Sequence, residues 1–369
     1  MVDPSTRAAY ETHATDWARR RRSTDPGPAA RLLARLGGGS ATSPPTPLRL
    51  ADLGCGPGFH LRHLGAGALG LDASRAMLDL ATHEAPDAVL VHADIAELPL
   101  ADRSLDGVVA SKVLVHVDRR HLPMALAELH RVTAVDAPVE LVMWEGDQDF
   151  GPLPGDPLGT RRYALWDADH LVDVIVGAGF AVEALARVPD GEGVRLDLSL
   201  RRLRTLADTV GPDMRVLVCG LNPSLYAADA GVGFARPGNR FWPAALAAGL
   251  VTADRDPRGA LRRDAVGMTD LVKRATVRAD ELTPDDYHAG LARLERLCAW
   301  LRPSLVCMVG LSGWRAAVDR GAVAGLQTRR LGGRPVYVMG STSGLNAHSR
   351  PADHVAHLRR VAELADRID

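Results

Sequence analysis

The 369-residue chain has little of what metal or redox chemistry requires. Its four cysteines, Cys55, Cys219, Cys298 and Cys307, form no C-x-x-C pair and no cysteine–histidine group at zinc spacing. That excludes a disulfide framework and an iron–sulfur or structural zinc site, and no metal is expected. Cys219 and Cys307 stand in apolar runs (VLVC, LVCM) and read as buried core thiols. No stretch reaches the roughly 18 apolar residues that a membrane-spanning helix needs. The segment MVDPSTRAAY has no apolar leader core. The expectation is a cytoplasmic protein with no membrane partner. An internal repeat of fixed period is also missing, as is a long low-complexity linker.

What is present is the composition of a soluble globular protein, 46% hydrophobic and 24% charged. The length exceeds what one hydrophobic core usually serves, so two domains are expected, 1–204 and 205–369, with the boundary in Thr205–Asp213 (TLADTVGPD). The net charge of −1 hides a split: residues 1–204 hold 22 Lys+Arg against 28 Asp+Glu, and residues 205–369 hold 22 against 17. The second half suits a polyanion better than the first. Strand-like runs alternate with helical ones in both halves. In the first they are LRLADLG, HLRHLGAG, ALGLDAS, RAMLDLATHEA, AVLVHADI, LDGVVASKVLVHV and PVELVMWEG. The second half begins with DMRVLVCG. This alternation predicts an α/β chain with two doubly wound parallel sheets.

In the first half, DLGCGPG (Asp52–Gly58) links a strand to a helix. Gly54, Gly56 and Gly58 let the backbone pass close to a ligand at a helix N-terminus. The dinucleotide fingerprint would need glycine at 59, where Phe59 stands. Asp72 and Asp94 follow at further strand ends, 20 and 22 residues apart, which sets three acids along one carboxyl edge of a parallel sheet.

On these motifs, residues 1–203 resemble the class I S-adenosylmethionine-dependent methyltransferases. The resemblance implies S-adenosylmethionine as cofactor, with Asp52, Gly54, Gly56 and Gly58 in the first motif. It makes Asp72 the acceptor for ribose hydroxyls and sets Asp94 and Ile95 beside the adenine. YETHATDWARRR resembles the lid helix of small-molecule members. His116 reads as a satisfied core or rim histidine rather than a base. Neither a D/N-P-P-Y nor a P-C nucleic-acid-methylating motif occurs, so the methyl acceptor stays open, with nucleic acid disfavoured.

The second half carries three pieces: GLNPSLYAADAGVGFARPGNRFW (Gly220–Trp242), GMTDLVKRAT (Gly267–Thr276) and VYVMGSTSGLNAH (Val336–His348). Together they resemble the mismatch-specific uracil/thymine-DNA glycosylases of the uracil-DNA glycosylase superfamily, over about 205–369. The resemblance implies that Asn222 positions the hydrolytic water and that the extruded base stacks on Phe234. The backbone around Leu221, Gly233 and Phe234 would read the pyrimidine edge. Leu345, in Ser343-Gly344-Leu345, would fill the gap left in the duplex, with Ser341 and Asn346 beside it. Arg236, Arg240, Lys273 and Arg274 are candidate phosphate contacts, and Ala227 leaves room for a thymine methyl. The partner is double-stranded DNA with a G·U or G·T mismatch, no cofactor is needed in this half, and a monomer is expected.

The chemistry is coherent without the resemblance. Breaking an N-glycosidic bond develops an oxocarbenium-like sugar and an anionic base, and peptide N–H groups can stabilise that anion. A neutral asparagine can orient water where a mispaired base is cheap to extrude. The sequence departs from the family where Ser224 follows Pro223, where Ser341 replaces an asparagine, and where Ala347 replaces the arginine expected beside the widowed guanine. The reading is a glycosylase fused to a methyltransferase. The alternative is a small-molecule methyltransferase whose second half is only a nucleic-acid-binding module.

Overall fold

The computed structural model describes residues 2–21, 26–37, 48–191, 193–344 and 349–367. The chain divides into two compact units, Met1–Val176 with Phe180–Leu203, and Gly177–Gly179 with Arg204–Asp369.

In the first unit, helices α1 (Pro4–Arg20) and α2 (Gly27–Gly37) precede β1 (Leu50–Leu53), β2 (Leu69–Asp72), α3 (Arg75–Glu84) and β3 (Val89–His92). Then come β4 (Gly107–Ser111), α4 (Leu122–Val132) and β5 (Pro138–Trp144). A short pair, β6 (Gly151–Pro152) and β7 (Arg162–Tyr163), leads to α5 (Ala168–Gly177), β8 (Phe180–Asp190) and β9 (Gly193–Arg202). The main sheet runs β3-β2-β1-β4-β5-β9-β8. β1 pairs in parallel with β2 and β4, so the winding direction reverses beside β1, where α/β sheets open a ligand crevice. The sheet is not wholly parallel. β8 and β9 pair antiparallel from Phe180↔Arg202 to Asp190↔Gly193, with no helix between them, and β9 pairs antiparallel with β5. HLRHLGAG, expected to be helical, makes only one short turn at Leu61–His63, because Gly65 and Gly67 follow at φ of +93° and +77°.

The second unit contains β10 (Val216–Gly220), α6 (Leu225–Ala230), α7 (Phe241–Ala247), α8 (Pro257–Asp264) and β11 (Val266–Asp270). It continues with α9 (Pro284–Leu301), β12 (Leu305–Val309), α10 (Leu311–Ala317), β13 (Gly325–Leu326), β14 (Val336–Met339) and α11 (Pro351–Ala365). The strand order is β11-β10-β12-β14-β13, parallel except for the short β13. Alternation in the strands covers both faces. Val216 and Val218 pack with Phe241, Trp242 and Leu358 on one side, while Leu217 and Cys219 pack with Leu294, Cys298 and Trp314 on the other. Helix α9 starts on a reciprocal cap, Thr283 Oγ1 accepting from Asp286 N and Asp286 Oδ2 from Thr283 N, and stops at Arg302 with φ of +53°. All four cysteines are free and buried.

Candidate active sites

The turn after β1 builds the site of the first unit. Gly54 and Gly56 hold φ of +70° and +53°, and a Cβ on Gly56 would point at the Trp17 ring of α1, 3.9 Å away. Both glycines line a cavity of about 580 Å³, together with Asp72, Met77 and Ile95. Asp72 Oδ2 accepts from Gly56 N and Oδ1 from Ser74 N, each at 2.8 Å, and burial raises its pKa. Asp52 is 1% exposed and neither carboxyl oxygen has a hydrogen-bond partner among the described residues. Burial, and then the charge of Asp72, push its pKa up to about 8, so it is mainly protonated at neutral pH.

Gly58 and Asp94, also expected at the ligand, are not among the residues lining that cavity. Gly58 packs against α3, where a Cβ would come within 3.3 Å of Ala81 Cβ. Asp94 spends its carboxylate on backbone N–H groups, accepting from Val2 N and Ala96 N at 2.9 Å each. Helix α1 is fastened over the cavity from several sides. Glu11 Oε2 accepts from Ser74 Oγ (2.7 Å), and Tyr10 Oη lies 2.8 Å from His116 Nε2. His116 Nδ1 faces the Arg162 carbonyl at 2.8 Å, and a carbonyl only accepts, so Nδ1 carries the proton and Nε2 accepts from Tyr10. Burial drives the His116 pKa down to about 4. It is a neutral, satisfied histidine that ties α1 to β7.

In the second unit the Asn222 loop follows β10, and the stretch after β11 runs beside it. Leu271 N donates to Gly220 O (2.9 Å), Val272 N to Leu221 O (2.9 Å) and Thr276 N to Pro223 O (3.1 Å). The parallel pairing of β10 and β11 is thus carried past both strand ends. Asn222 Nδ2 donates to Thr276 Oγ1 (2.8 Å), Arg274 O (3.0 Å) and Pro223 O (3.3 Å). No described residue donates to Asn222 Oδ1. Val272 N occupies one of the two lone pairs of the Leu221 carbonyl, and the Leu221 N–H is the donor this residue can offer a base.

Phe234 takes the left-handed conformation, φ +59°, and stacks on Phe241 with centroids 4.3 Å apart at 24°. Trp242 Nε1 donates to Gly233 O at 2.8 Å, which fixes the loop under the ring. The Phe234 ring edge and the Asp270 carboxylate both approach Gly220: a Cβ there would fall 2.6 Å from Asp270 Oδ1 and 3.4 Å from Phe234 Cζ. Asp270 is 8% exposed; its backbone carbonyl accepts from Arg293 Nη2 (2.8 Å), but no described residue donates to its carboxylate. Burial raises its pKa to about 6, Asp208 adds to the rise, and Lys273 and Arg293 offset part of it. Ala227, in α6, is 4% exposed.

The first and third sequence pieces also meet. Arg240 N donates to Thr342 O (2.9 Å), Ser343 N to Ser341 Oγ (3.3 Å), and a Cβ on Gly344 would strike Gly238 O at 2.8 Å. Leu345, Asn346 and Ala347 lie outside the described residues. Of the expected phosphate contacts, Arg236 is exposed and has no carboxylate partner among the described residues, while Arg240 Nη1 donates to Ser349 O (2.7 Å). Lys273 is no phosphate contact. It is 9% exposed and its Nζ binds Asp208 Oδ1 at 2.8 Å, in a buried group with Arg293 Nη1 on Asp208 Oδ2 (2.7 Å). Burial alone would raise the Asp208 pKa, but the two cations hold it below its usual value. Arg274 is engaged with Asp286 Oδ2 at 2.6 Å.

Asp270 and Thr276 were not singled out by sequence reasoning, although both lie in GMTDLVKRAT. The available signal was the parallel sheet itself, since an acid ending VGMTD comes level with the end of VLVCG.

These are two α/β folds, each with polar groups gathered at the carboxyl edge of its sheet where the strand order reverses. Residues 51–137 match the family model of a methyltransferase domain, and residues 207–363 match that of the uracil DNA glycosylase superfamily. The chain therefore carries a methyltransferase domain followed by a uracil DNA glycosylase superfamily domain. Among solved structures it is similar to the 1,6-didemethyltoxoflavin-N1-methyltransferase of Burkholderia thailandensis, at 20% identity over 54% of this chain and 88% of that one, TM-score 0.43. It is also similar to the magnesium protoporphyrin IX methyltransferase of Synechocystis PCC 6803, at 19% identity over 54% and 100%, TM-score 0.42. No helix among the described residues is long and apolar enough to cross a membrane, and none of their His, Cys, Asp and Glu side chains group as a metal site.

Proposed function

We propose that the second unit excises mispaired uracil or thymine from duplex DNA by hydrolysing the N-glycosidic bond, and that the first unit transfers a methyl group from S-adenosylmethionine to a small molecule. The observation that carries the glycosylase reading is Asn222: its amide nitrogen is held by Thr276 and Arg274, and no described residue donates to its oxygen. An extruded pyrimidine would stack on the face of Phe234 that Phe241 does not cover. Asn222 Oδ1 would accept a hydrogen bond from the water attacking C1′, and the Leu221 N–H would face the base edge. Asp270, ionised above about pH 6, supplies a base for the second proton of that water. The C1′–N1 bond then breaks with its electron pair on the base, whose charge the backbone N–H groups stabilise.

In the first unit, S-adenosylmethionine supplies an electrophilic methyl group when bound. The residues present fit such a ligand: Asp72 lines the cavity as an acceptor, Met77 and Ile95 give it an apolar end, Gly56 leaves room under Trp17, and Gly54 clears Val113. Helix α1, fastened by Tyr10 and Glu11, would align donor and acceptor and keep water out. A small acceptor is favoured because the α1 lid lies across the cavity.

The test is incubation with duplexes holding G·U, G·T or A·U, followed by alkaline strand cleavage. Wild type should cut at G·U and at G·T, and Asn222→Ala should cut neither while still binding the duplex. Absence of G·U scission by wild type would overturn the glycosylase reading.

A further inference from the structure

A side-chain amide presents almost the same shape with its oxygen and nitrogen exchanged, so an asparagine that must accept from water needs something to keep it from flipping. At Asn222 the Arg274 carbonyl sets the orientation and the Thr276 hydroxyl, which can accept or donate, reinforces it; both come from the stretch after β11 rather than from the loop that bears the asparagine. The Arg274 carbonyl, 3.0 Å from Nδ2, can only accept. Thr276 Oγ1, 2.8 Å from Nδ2, supplies the second acceptor at the shortest distance of the three contacts. Thr276 is 4% exposed, so water does not compete for its hydroxyl. Its own N–H is tied to Pro223 O at 3.1 Å, and Ser224 and Thr276 pair as a short parallel bridge, so the hydroxyl moves as one body with the Asn222 loop.

Resting on the glycosylase reading above, we infer that Thr276 is a positioning residue of the reaction: with the Arg274 carbonyl fixing which way round the amide sits, the Thr276 hydroxyl holds it in place, Nδ2 turned inward and Oδ1 turned to the attacking water. A flipped amide would set Oδ1 against the Arg274 carbonyl, two acceptors face to face. The same arrangement explains why a neutral asparagine stands here. An aspartate would carry no N–H for the Arg274 carbonyl and would meet it oxygen to oxygen.

The test compares wild type, Thr276→Val and Thr276→Ser on a G·U duplex under single-turnover conditions, with duplex affinity and thermal melting measured alongside. Valine keeps the branched shape and removes the hydroxyl, while serine keeps the hydroxyl and removes the methyl. The expected result is an excision rate about tenfold lower for Thr276→Val, the worth of one desolvated hydrogen bond. Its duplex affinity should be unchanged, and Thr276→Ser should stay within about threefold of wild type. Equal rates for wild type and Thr276→Val would overturn the inference, as would Thr276→Ser being as slow as Thr276→Val, which would mean that Thr276 serves packing. A slow Thr276→Val whose duplex affinity falls in proportion would overturn it too, by making the effect one of binding. Failure of wild type to excise uracil at all would remove the glycosylase reading and this inference with it.

Discussion

Replacing Asp270 with asparagine should slow the enzyme and stabilise it at the same time. The carboxyl is 8% exposed with no hydrogen-bond donor among the described residues, and its pKa rises from 3.8 to about 6, chiefly through burial. A group with that pKa is ionised in about one molecule in eleven at pH 5 and about ten in eleven at pH 7, so a rate that needs the carboxylate should climb about tenfold between them. Asp270→Asn should flatten that profile and lower the rate at pH 7 by about a hundredfold or more, the usual worth of a positioned base. The stability effect follows from the same number. The folded chain binds this proton more tightly than the unfolded one, so the contribution to stability is present below pH 3.8 and is lost as the pH rises through about 6. At pH 7 the buried carboxylate costs about 3 kcal/mol, and asparagine removes most of that cost. Single-turnover excision from a G·U duplex across pH 5–8, with thermal melting at pH 7 and near pH 4, reads both effects. The melting gain should be large at pH 7 and shrink towards zero near pH 4. A wild-type rate that does not change between pH 5 and 7, or an Asp270→Asn protein that keeps the rise, would refute the assignment.

Lys273→Met should leave Asp208 buried with one cation fewer, so the second unit should lose about 3–5 kcal/mol in a denaturant titration. Arg236→Ala should instead leave stability alone and reduce the salt dependence of duplex binding by about one counterion, measured as the slope of log affinity against log salt. Asp72→Ala should weaken S-adenosylmethionine binding at least tenfold by calorimetry, since Asp72 lines the cavity beside the Gly54–Gly56 turn, while G·U excision continues at the wild-type rate. Equal affinity would mean that another group holds the ribose.

Much of the architecture could be read from the chain, because an α/β fold writes itself locally. Apolar runs of strand length separated by capped helices predict parallel sheets, and glycine-rich turns mark where a strand end opens onto a ligand. The two functional loops with the sharpest local signatures, Asp52–Gly58 and Gly220–Trp242, were visible for that reason. The departures were also local in origin. Gly65 and Gly67 stop a helix that the apolar pattern suggested, and two strands without a helix between them turned antiparallel.

By itself the sequence determined which residue types stand at the strand ends: the glycines, Asp72, Asn222 and Phe234. Tertiary structure decided what those residues do. Lys273 and Arg274 look alike in sequence to any basic pair, yet only folding seals Lys273 against Asp208 and Arg293 while Arg274 reaches Asp286. Gly58 and Asp94 belong to ligand-binding motifs, yet the approach of α3 and of Val2 turns them to packing and capping. Asp270 and Thr276 carry no signature at all. Their importance comes from β11 lying level with β10, which brings a buried carboxylate beside Phe234 and a hydroxyl onto the Asn222 amide. Pattern fixes periodicity along the chain, but charge, burial and hydrogen-bond partners are settled by residues about fifty positions away.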